Sequence, residues 1–263
     1  MRKINVLTLF PKLVSDAIAW GVVGQSLKHN ILSVRIADLR EFTQDPHRTV
    51  DDRPYGGGDG MIMLAEPLAL AMKSLGDEAG VRVFLSPQGE RWSDKLAREF
   101  ARNLENSNLT LVCGRYGGVD QRFLNSFVDR QISVGDFILS GGEFAALSVI
   151  DSIARLLPGV LGNEKSQSQD SFANGLLEAP QFTRPEEIFD QAVPEVLRSG
   201  DHQKIFEFRE ALSLAVTRER RPDLFFEDHK VHWLEALQVL KRYSYEELKS
   251  CGLAKHTLEE ILK

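Results

Sequence analysis

The sequence lacks most of the features that would place a 263-residue chain in a specialised class. It has only two cysteines, Cys113 and Cys251, which excludes a disulfide framework and a cysteine-based zinc site. No apolar run approaches the roughly 20 residues that a membrane-spanning helix needs. The first ten residues also lack the basic and apolar regions of a signal peptide. We therefore expect a cytoplasmic protein that is not anchored in a membrane, with Cys113 buried in its core.

Positive charge is not in excess, since the formal net charge is −6. Proteins that coat nucleic acids without specificity are normally basic, so any role with nucleic acid must depend on local basic patches and specific pockets. The hydrophobic fraction of 43% is ordinary for a globular protein. The length allows one large domain or two modest ones.

Two common nucleotide-binding motifs are also missing. No predicted strand is followed by GxGxxG, and no GxxxxGK[ST] loop is present. Strands that alternate with helices nevertheless predict a parallel α/β sheet of the doubly wound kind. The predicted strands are Lys3–Phe10, Leu32–Leu39, Val81–Leu85, Leu109–Cys113 and the end of Phe127–Ser133.

The stretch Ile132–Glu143 organises this pattern. A strand ends at a turn, Gly135-Asp136, three apolar residues follow, and a double glycine opens the helix Gly142–Leu157. We do not expect such an apolar run in a surface loop, and a buried strand before a glycine-capped helix also fits the pattern. Similar loops follow two earlier strands, at Ser86-Pro87 and Gly114–Gly118. Ligands of parallel sheets bind beyond the carboxyl ends of the strands, so one flat, polar-edged ligand such as a nucleobase is expected against all three loops.

The composition changes after residue 160. Residues 161–175 are rich in Ser, Gln and Asn, which predicts a flexible linker between a ligand-binding domain, 1–160, and a small, mostly helical domain, 176–263. In the second domain we predict helices over His202–Arg221, Val231–Tyr243 and Tyr245–Leu262. The segment Pro180–Pro194 is predicted to be irregular.

Seven blocks of this sequence resemble, in the same order, the bacterial tRNA (guanine-N1)-methyltransferases of the SPOUT class. The matching blocks are His47–Gly58, Leu85–Gly89, Cys113–Tyr116, Ser133–Asp136 with Leu139–Glu143, Pro158–Gly162, Asp170–Phe172 and Thr183–Pro185. The resemblance implies a knotted parallel sheet, with the chain threaded through the loops near Ser86, Gly114 and Gly135. It also implies a homodimer with active sites shared between both chains. The implied reaction is methyl transfer from S-adenosylmethionine to N1 of guanine 37, beside the anticodon of tRNA.

The resemblance further implies roles for individual residues. Asp170 is the general base that removes the N1 proton, and Arg155 stabilises the charge on guanine O6. From the pattern alone, Asp170 would be an ordinary turn or cap residue and Arg155 a surface arginine. The implied cofactor-binding residues are Ser86, Pro87, Gly114, Tyr116, Val134, Gly135, Asp136, Phe137, Ile138, Leu139, Gly141 and Gly142. The implied tRNA-binding residues are His47, Arg48, Asp51 and Arg115.

The chain departs from the family pattern at Gly117, where the family has a glutamate. If that glutamate steadies the positive methionine end of the donor, we expect this chain either to weaken the contact or to replace the glutamate with Asp120 or Asp136. Asp59 stands where the family usually has proline. The resemblance also implies a dependence on Mg²⁺, although the sequence shows no ligand cluster. Two alternatives stay open: a SPOUT-type RNA methylase of different specificity, and a non-catalytic RNA-binding protein.

Overall fold

A computed structural model describes residues 2–162 and 170–263, which belong to two compact units, Met1–Glu164 and Lys165–Lys263. The first unit contains a five-stranded parallel sheet of β1 Arg2–Thr8, β2 Leu32–Asp38, β5 Val81–Arg91, β6 Leu109–Cys113 and β7 Arg130–Ser133. The strand order across the sheet is β2-β1-β6-β5-β7. Its helices are α1 Pro11–Ile18, α2 Gly21–Lys28, α3 Ala65–Ser74, α4 Asp94–Asn103, α5 Gln121–Phe127 and α6 Glu143–Ala154.

Both faces of this sheet are covered by helices. Alternate residues of a strand point to opposite faces, so Leu111 packs into one core and Val112 into the other. The first core also takes side chains from α1, α2, α4 and α6, and the second takes side chains from α3 and α5. All five residues of β6 are buried, as expected for a central strand of a parallel sheet. The predicted α/β sheet flanked by helices is therefore confirmed, and Cys113 lies in its core.

The ends of several elements agree with local chemistry. Pro11 occupies the first turn of α1, where its missing N–H costs nothing. Ser93 caps α4 by accepting a hydrogen bond from the backbone N–H of Leu96 at 3.3 Å. Two short strands were not predicted. Asp51–Asp52 (β3) lies within the long loop of residues 43–61 and pairs with Ile62–Met63 (β4), which directly follows the loop.

The second unit contains the predicted helical domain. Its helices are α7 Glu195–Arg198, α8 His202–Arg220, α9 Glu227–Leu240, α10 Tyr245–Ser250 and α11 Lys255–Ile261. The single helix predicted over Tyr245–Leu262 is wrong, because the chain turns at Gly252, which has a φ of 75°. The segment predicted to be irregular contains a short hairpin of β8 Glu187–Ile188 and β9 Gln191–Ala192.

Part of the predicted linker has a definite conformation. Residues 170–175 form a turn, in which Ala173 N–H donates to Asp170 O at 3.1 Å and Gly175 N–H donates to Phe172 O at 3.1 Å. Residues 163–169 of the same segment lie outside the described residues. In the part of the chain that is described, no helix is both long enough and apolar enough to cross a membrane.

Candidate functional site

A cleft of about 640 Å³ opens at the carboxyl ends of β6 and β7 and beside residues 84–88 of β5. It is lined by eleven of the twelve residues expected to bind the cofactor: Ser86, Pro87, Gly114, Tyr116, Val134, Gly135, Phe137, Ile138, Leu139, Gly141 and Gly142. The twelfth, Asp136, is exposed and does not line it. The three strand-end loops thus meet at one site, as the sequence pattern predicted.

The first wall of the cleft is a bulge within β5. The sequence predicted that this strand ends at Leu85, but it continues to Arg91. Both Leu85 and Glu90 pair with Ile132 of β7, so residues 86–89 are looped out of the ladder. Gly89 has to be glycine, because a Cβ atom there would overlap the backbone of Gln131 and Ile132. The bulge turns Ser86 and Pro87 toward the cleft.

The second wall is the loop of residues 134–142, and here the sequence prediction was wrong. Phe137, Ile138 and Leu139 do not form a strand, and their exposed fractions are 55%, 82% and 37%. The Phe137 ring folds back over Gly135, which has a φ of 156° and no room for a Cβ atom. An apolar run between two glycine turns is therefore a surface feature of the single chain.

The third wall follows β6 and holds Arg115 in an internal network. Its Nε donates to Glu143 Oε2 at 3.1 Å, and its Nη1 donates to Ser140 O at 3.1 Å. Its guanidinium lies 4.2 Å from the centre of the Phe10 ring. Only 16% of the Arg115 side chain is exposed, so most of this expected tRNA-binding residue is occupied by contacts within the fold.

Glu143 is the buried partner that the sequence analysis did not single out. Its side chain is fully buried in the first turn of α6, where a carboxylate is favoured by the helix dipole. Thr8, at the end of β1, donates to its Oε1 at 2.7 Å. Gly141 has no room for a Cβ atom against Arg115 and Glu143. The Ser-Gly-Gly-Glu run could have drawn attention to Glu143 as a functional residue, because it places an acid directly after a glycine turn.

Burial and the neighbouring Glu143 also determine how reactive the thiol of Cys113 is. Burial raises the pKa of its thiol well above the ordinary value, and the neighbouring Glu143 carboxylate raises it further. A thiol with a raised pKa is a poor nucleophile. Cys113 is therefore a packing residue beneath the cleft, not a reactive group.

Neither carboxylate expected to replace the family's glutamate lines the cleft. Asp120 is paired with Arg122, with Oδ2 and Nη2 2.6 Å apart, and this pairing keeps its pKa below the ordinary value. Asp136 is exposed outside the lining. The position where the family has glutamate, Gly117, is closely packed, since a Cβ atom there would lie 3.1 Å from Met61 O. Among the described residues that line the cleft there is no Asp or Glu.

The expected tRNA-binding loop is mostly exposed. Asp45 caps it by accepting hydrogen bonds from the hydroxyl and N–H of Thr49, and these bonds keep the pKa of Asp45 below its ordinary value. His47 and Arg48 are exposed beside it, and Arg48 has a φ of 53°. Asp51 lies in β3 and is half-buried. The loop therefore presents His47 and Arg48 to solvent from a hydrogen-bonded turn.

The two expected catalytic residues lie in different units. Arg155 is exposed directly after α6 in the first unit. Asp170 begins the turn of residues 170–175 in the second unit, where it lines a groove of about 490 Å³. The other wall of that groove is the face of α8 that carries His202, Phe206 and Arg209.

No group of three or more His, Cys, Asp or Glu side chains suited to a metal ion occurs within residues 2–162 and 170–263. The dependence on Mg²⁺ implied by the resemblance thus stays a prediction without a located site.

Comparison with known proteins supplies a family for this arrangement. A family model described as tRNA (Guanine-1)-methyltransferase TrmD matches residues 2–227. A protein from Pseudoalteromonas translucida is 45% identical over 254 residues, which cover 95% of this chain and 97% of the relative. A protein from Coxiella burnetii is 50% identical over 225 residues, covering 84% of this chain and 89% of the relative. Both relatives are named tRNA (guanine-N(1)-)-methyltransferase.

Proposed function

The chain belongs to the tRNA (guanine-1)-methyltransferase family, and we propose that it transfers the methyl group of S-adenosylmethionine to N1 of guanine 37 in tRNA. The family membership makes it a tRNA (guanine-N1)-methyltransferase of the SPOUT class and disfavours the non-catalytic RNA-binding alternative. The donor, the position of the guanine and the catalytic residues belong to the proposal.

The observation that carries the proposal is the convergence of the three strand-end loops on one cleft. Its volume of about 640 Å³ is within the range of roughly 300–1,000 Å³ found for small-molecule sites. Main-chain groups of the loops at Gly114 and Val134–Leu139 would bind the adenine edge, and the apolar side chains would cover its faces. The residues present therefore fit the adenosine part of the donor.

The methionine end of the donor meets a different surface. When bound, S-adenosylmethionine supplies a methyl group that its positive sulfonium has already activated. The described lining offers no carboxylate to that charge; its polar groups are main-chain dipoles, neutral side chains such as Gln88 and Gln121, and the cationic Arg115. We infer that the cleft recognises the adenosine part more strongly than the sulfonium charge.

The chemical task of the protein is to deprotonate guanine. Guanine N1 carries a proton and is a poor nucleophile until that proton leaves. We propose that Asp170 takes this proton and that Arg155 donates to O6, where negative charge develops. A free Asp has a pKa of about 3.9, so it is a weak base for this step. A cation at O6 lowers the pKa of the guanine itself, which is why we assign Arg155 to O6 and not to Asp170.

Binding of tRNA is proposed to involve both units. His47 and Arg48 are exposed and can contact phosphates or base edges, and Asp51 can accept hydrogen bonds from a guanine. Arg115 contributes mainly by shaping the cleft, given its contacts with Glu143 and Ser140. The helical domain from residue 176 onward is proposed to bind the anticodon region, with residues 161–175 linking it to the first domain.

We propose a homodimer in which each active site uses both chains. The support is the set of exposed apolar side chains at and beside the cleft, since large exposed apolar patches usually mark interfaces. They are Phe10, Tyr116, Phe137, Ile138, Leu139 and Phe144. The family resemblance adds the trefoil knot around the same loops and, with tRNA as substrate, action in the cytoplasm.

The test uses two tRNA transcripts that differ only at position 37. After incubation with protein and labelled donor, mass spectrometry of the tRNA is expected to show 1-methylguanosine at position 37 of the normal transcript. The transcript with adenine at position 37 is expected to stay unmodified. Equal methylation of both transcripts would refute the assigned position and favour a SPOUT methylase of another specificity.

A further inference from the structure

One residue of the second unit has both of its backbone polar groups bound by side chains of a single helix. The N–H of Leu177 donates to Thr217 Oγ1 at 2.8 Å, and the Ser213 hydroxyl donates to Leu177 O. Thr217 in turn donates to Ser213 O at 2.7 Å. The two hydroxyl residues are four positions apart on α8, so they lie on the same face, and Thr217 is fully buried.

The segment fixed in this way carries Asp170. On one side of Leu177, the N–H of Glu178 donates to Ser171 Oγ at 2.9 Å. On the other side, Leu176 O accepts from the N–H of Phe172 at 2.7 Å. The two neighbours of Leu177 in the chain are thus hydrogen-bonded to Ser171 and Phe172, the two residues that directly follow Asp170.

One residue of the turn that follows Asp170 has an energetically costly backbone conformation. Phe172 has a φ of 75°, in the left-handed region that non-glycine residues rarely adopt. Such conformations persist only where the surroundings hold them firmly, and they cluster at functional sites. Arg221, one residue beyond α8, lies over the Phe172 ring at 5.9 Å and adds a further contact.

An apolar pair at positions 213 and 217 would fill the same space without burying two hydroxyls. Buried polar groups are costly unless they are bonded, and Ser or Thr in the interior of a helix often competes with the helix's own hydrogen bonds. What the hydroxyls add here is a fixed distance between the Asp170 strap, residues 170–178, and a rigid helix. A general base has to be held within a fraction of an ångström of its working position.

We propose that Thr217 and Ser213 are positioning residues for Asp170, acting through the backbone of Leu177. This inference rests on the proposed role of Asp170 as the general base. Thr217 does not touch the substrate in this scheme. It holds the strap so that the carboxylate meets guanine N1 with the correct geometry.

The experiment compares three variants of the full chain. Thr217→Val keeps the shape but removes both hydrogen bonds, and Thr217→Ser restores the hydroxyl. The matched control is Thr257→Val, because Thr257 is also buried in the second unit and donates to Glu219 Oε2, away from the strap. Single-turnover methylation rates, KM for tRNA, donor binding by calorimetry and thermal midpoints are measured for each.

Thr217→Val is expected to lower the methylation rate by about tenfold to a hundredfold, the size of effect that a misplacement of about 1 Å produces. Donor affinity and KM for tRNA should change by less than about twofold in the same variant. Thr217→Ser should recover most of the rate, and Thr257→Val should keep it while shifting the thermal midpoint comparably. Ser213→Ala offers the same test from the other hydroxyl if Thr217→Val folds poorly.

The inference is overturned if Thr217→Val and Thr257→Val lower the rate equally, or if Thr217→Ser does not restore it. A failure of the proposed function looks different. In that case Asp170→Asn keeps substantial turnover, whatever the Thr217 variants do. With Asp170→Asn inactive and Thr217→Val fully active, the base assignment stands and the positioning role falls.

Discussion

The buried pair Arg115–Glu143 allows a quantitative prediction for Glu143→Gln. The substitution keeps the size of the side chain and a hydrogen-bonding partner for Thr8, but it removes the charge that faces Arg115. Losing one partner of a buried ion pair typically costs about 3–5 kcal/mol. Because Arg115 keeps 16% exposure and can be partly hydrated, we expect the lower end, about 3 kcal/mol of the free energy of unfolding.

For a unit of this size, each kcal/mol shifts the midpoint of thermal unfolding by about 2–4 °C, so the expected decrease is roughly 6–12 °C. Donor affinity should fall as well, because the pair fixes the loops on two sides of the cleft. The assays are denaturant unfolding of the full chain and calorimetry with S-adenosylmethionine.

The control is Asp129→Asn, which removes the charge from a more exposed pair, in which Asp129 accepts from the backbone N–H, Nε and Nη2 of Arg82. The Arg82 and Asp129 side chains are 32% and 38% exposed, so we expect a loss of only about 0.5–1 kcal/mol and unchanged donor affinity. If Glu143→Gln destabilises the protein no more than Asp129→Asn does, the claim that the buried pair organises the cleft is wrong.

Three further predictions concern other groups. Gly117→Glu should strengthen binding of S-adenosylmethionine relative to the product S-adenosylhomocysteine, which lacks the sulfonium charge, because it adds a carboxylate to a cleft whose described lining has none; an unchanged ratio of the two affinities in calorimetry would contradict this. Cys251, whose pKa burial raises to about 12, should resist alkylation at pH 8 until the protein unfolds, as should Cys113. The hydrogen bond from Arg82 lowers the pKa of Asp129, so its contribution to stability is present above the unfolded pKa of about 3.9 and is lost as the pH falls through the folded value. The stability difference between wild type and Asp129→Asn should therefore vanish in acid.

Much of the fold followed from patterns that act over short distances. The alternation of Leu111 and Val112 between two cores is a direct consequence of strand geometry, and so was predictable. The glycine turns near Gly114 and Gly135 could be placed at strand ends for the same reason. The extension of β5 could not, because residues 86–89 are looped out only by pairing with β7, far along the chain.

The details of the site depended on contacts whose partners cannot be identified from the sequence alone. The resemblance implied that Arg115 contacts tRNA, and the sequence shows the charge of this arginine but not its partner. That partner, Glu143, lies 28 positions further along the chain and is brought close only by the folded sheet. Asp120 was available as a replacement carboxylate in the sequence, but Arg122, two residues away, already binds it. The exposure of Phe137 and Ile138 was also missed, because hydrophobicity alone does not tell a core residue from an exposed apolar residue.

The exposure of Phe137 and Ile138 has a consequence for how donor binding depends on protein concentration. Ile138 and its neighbours form one side of the cleft proposed to bind the donor, so a second copy that covers them would also steady the cleft. Self-association and donor uptake would then be thermodynamically linked, each strengthening the other by the same factor. If the proposed dimer forms, dilution to nanomolar levels should weaken the apparent affinity for the donor, and adding donor should shift the population toward that dimer.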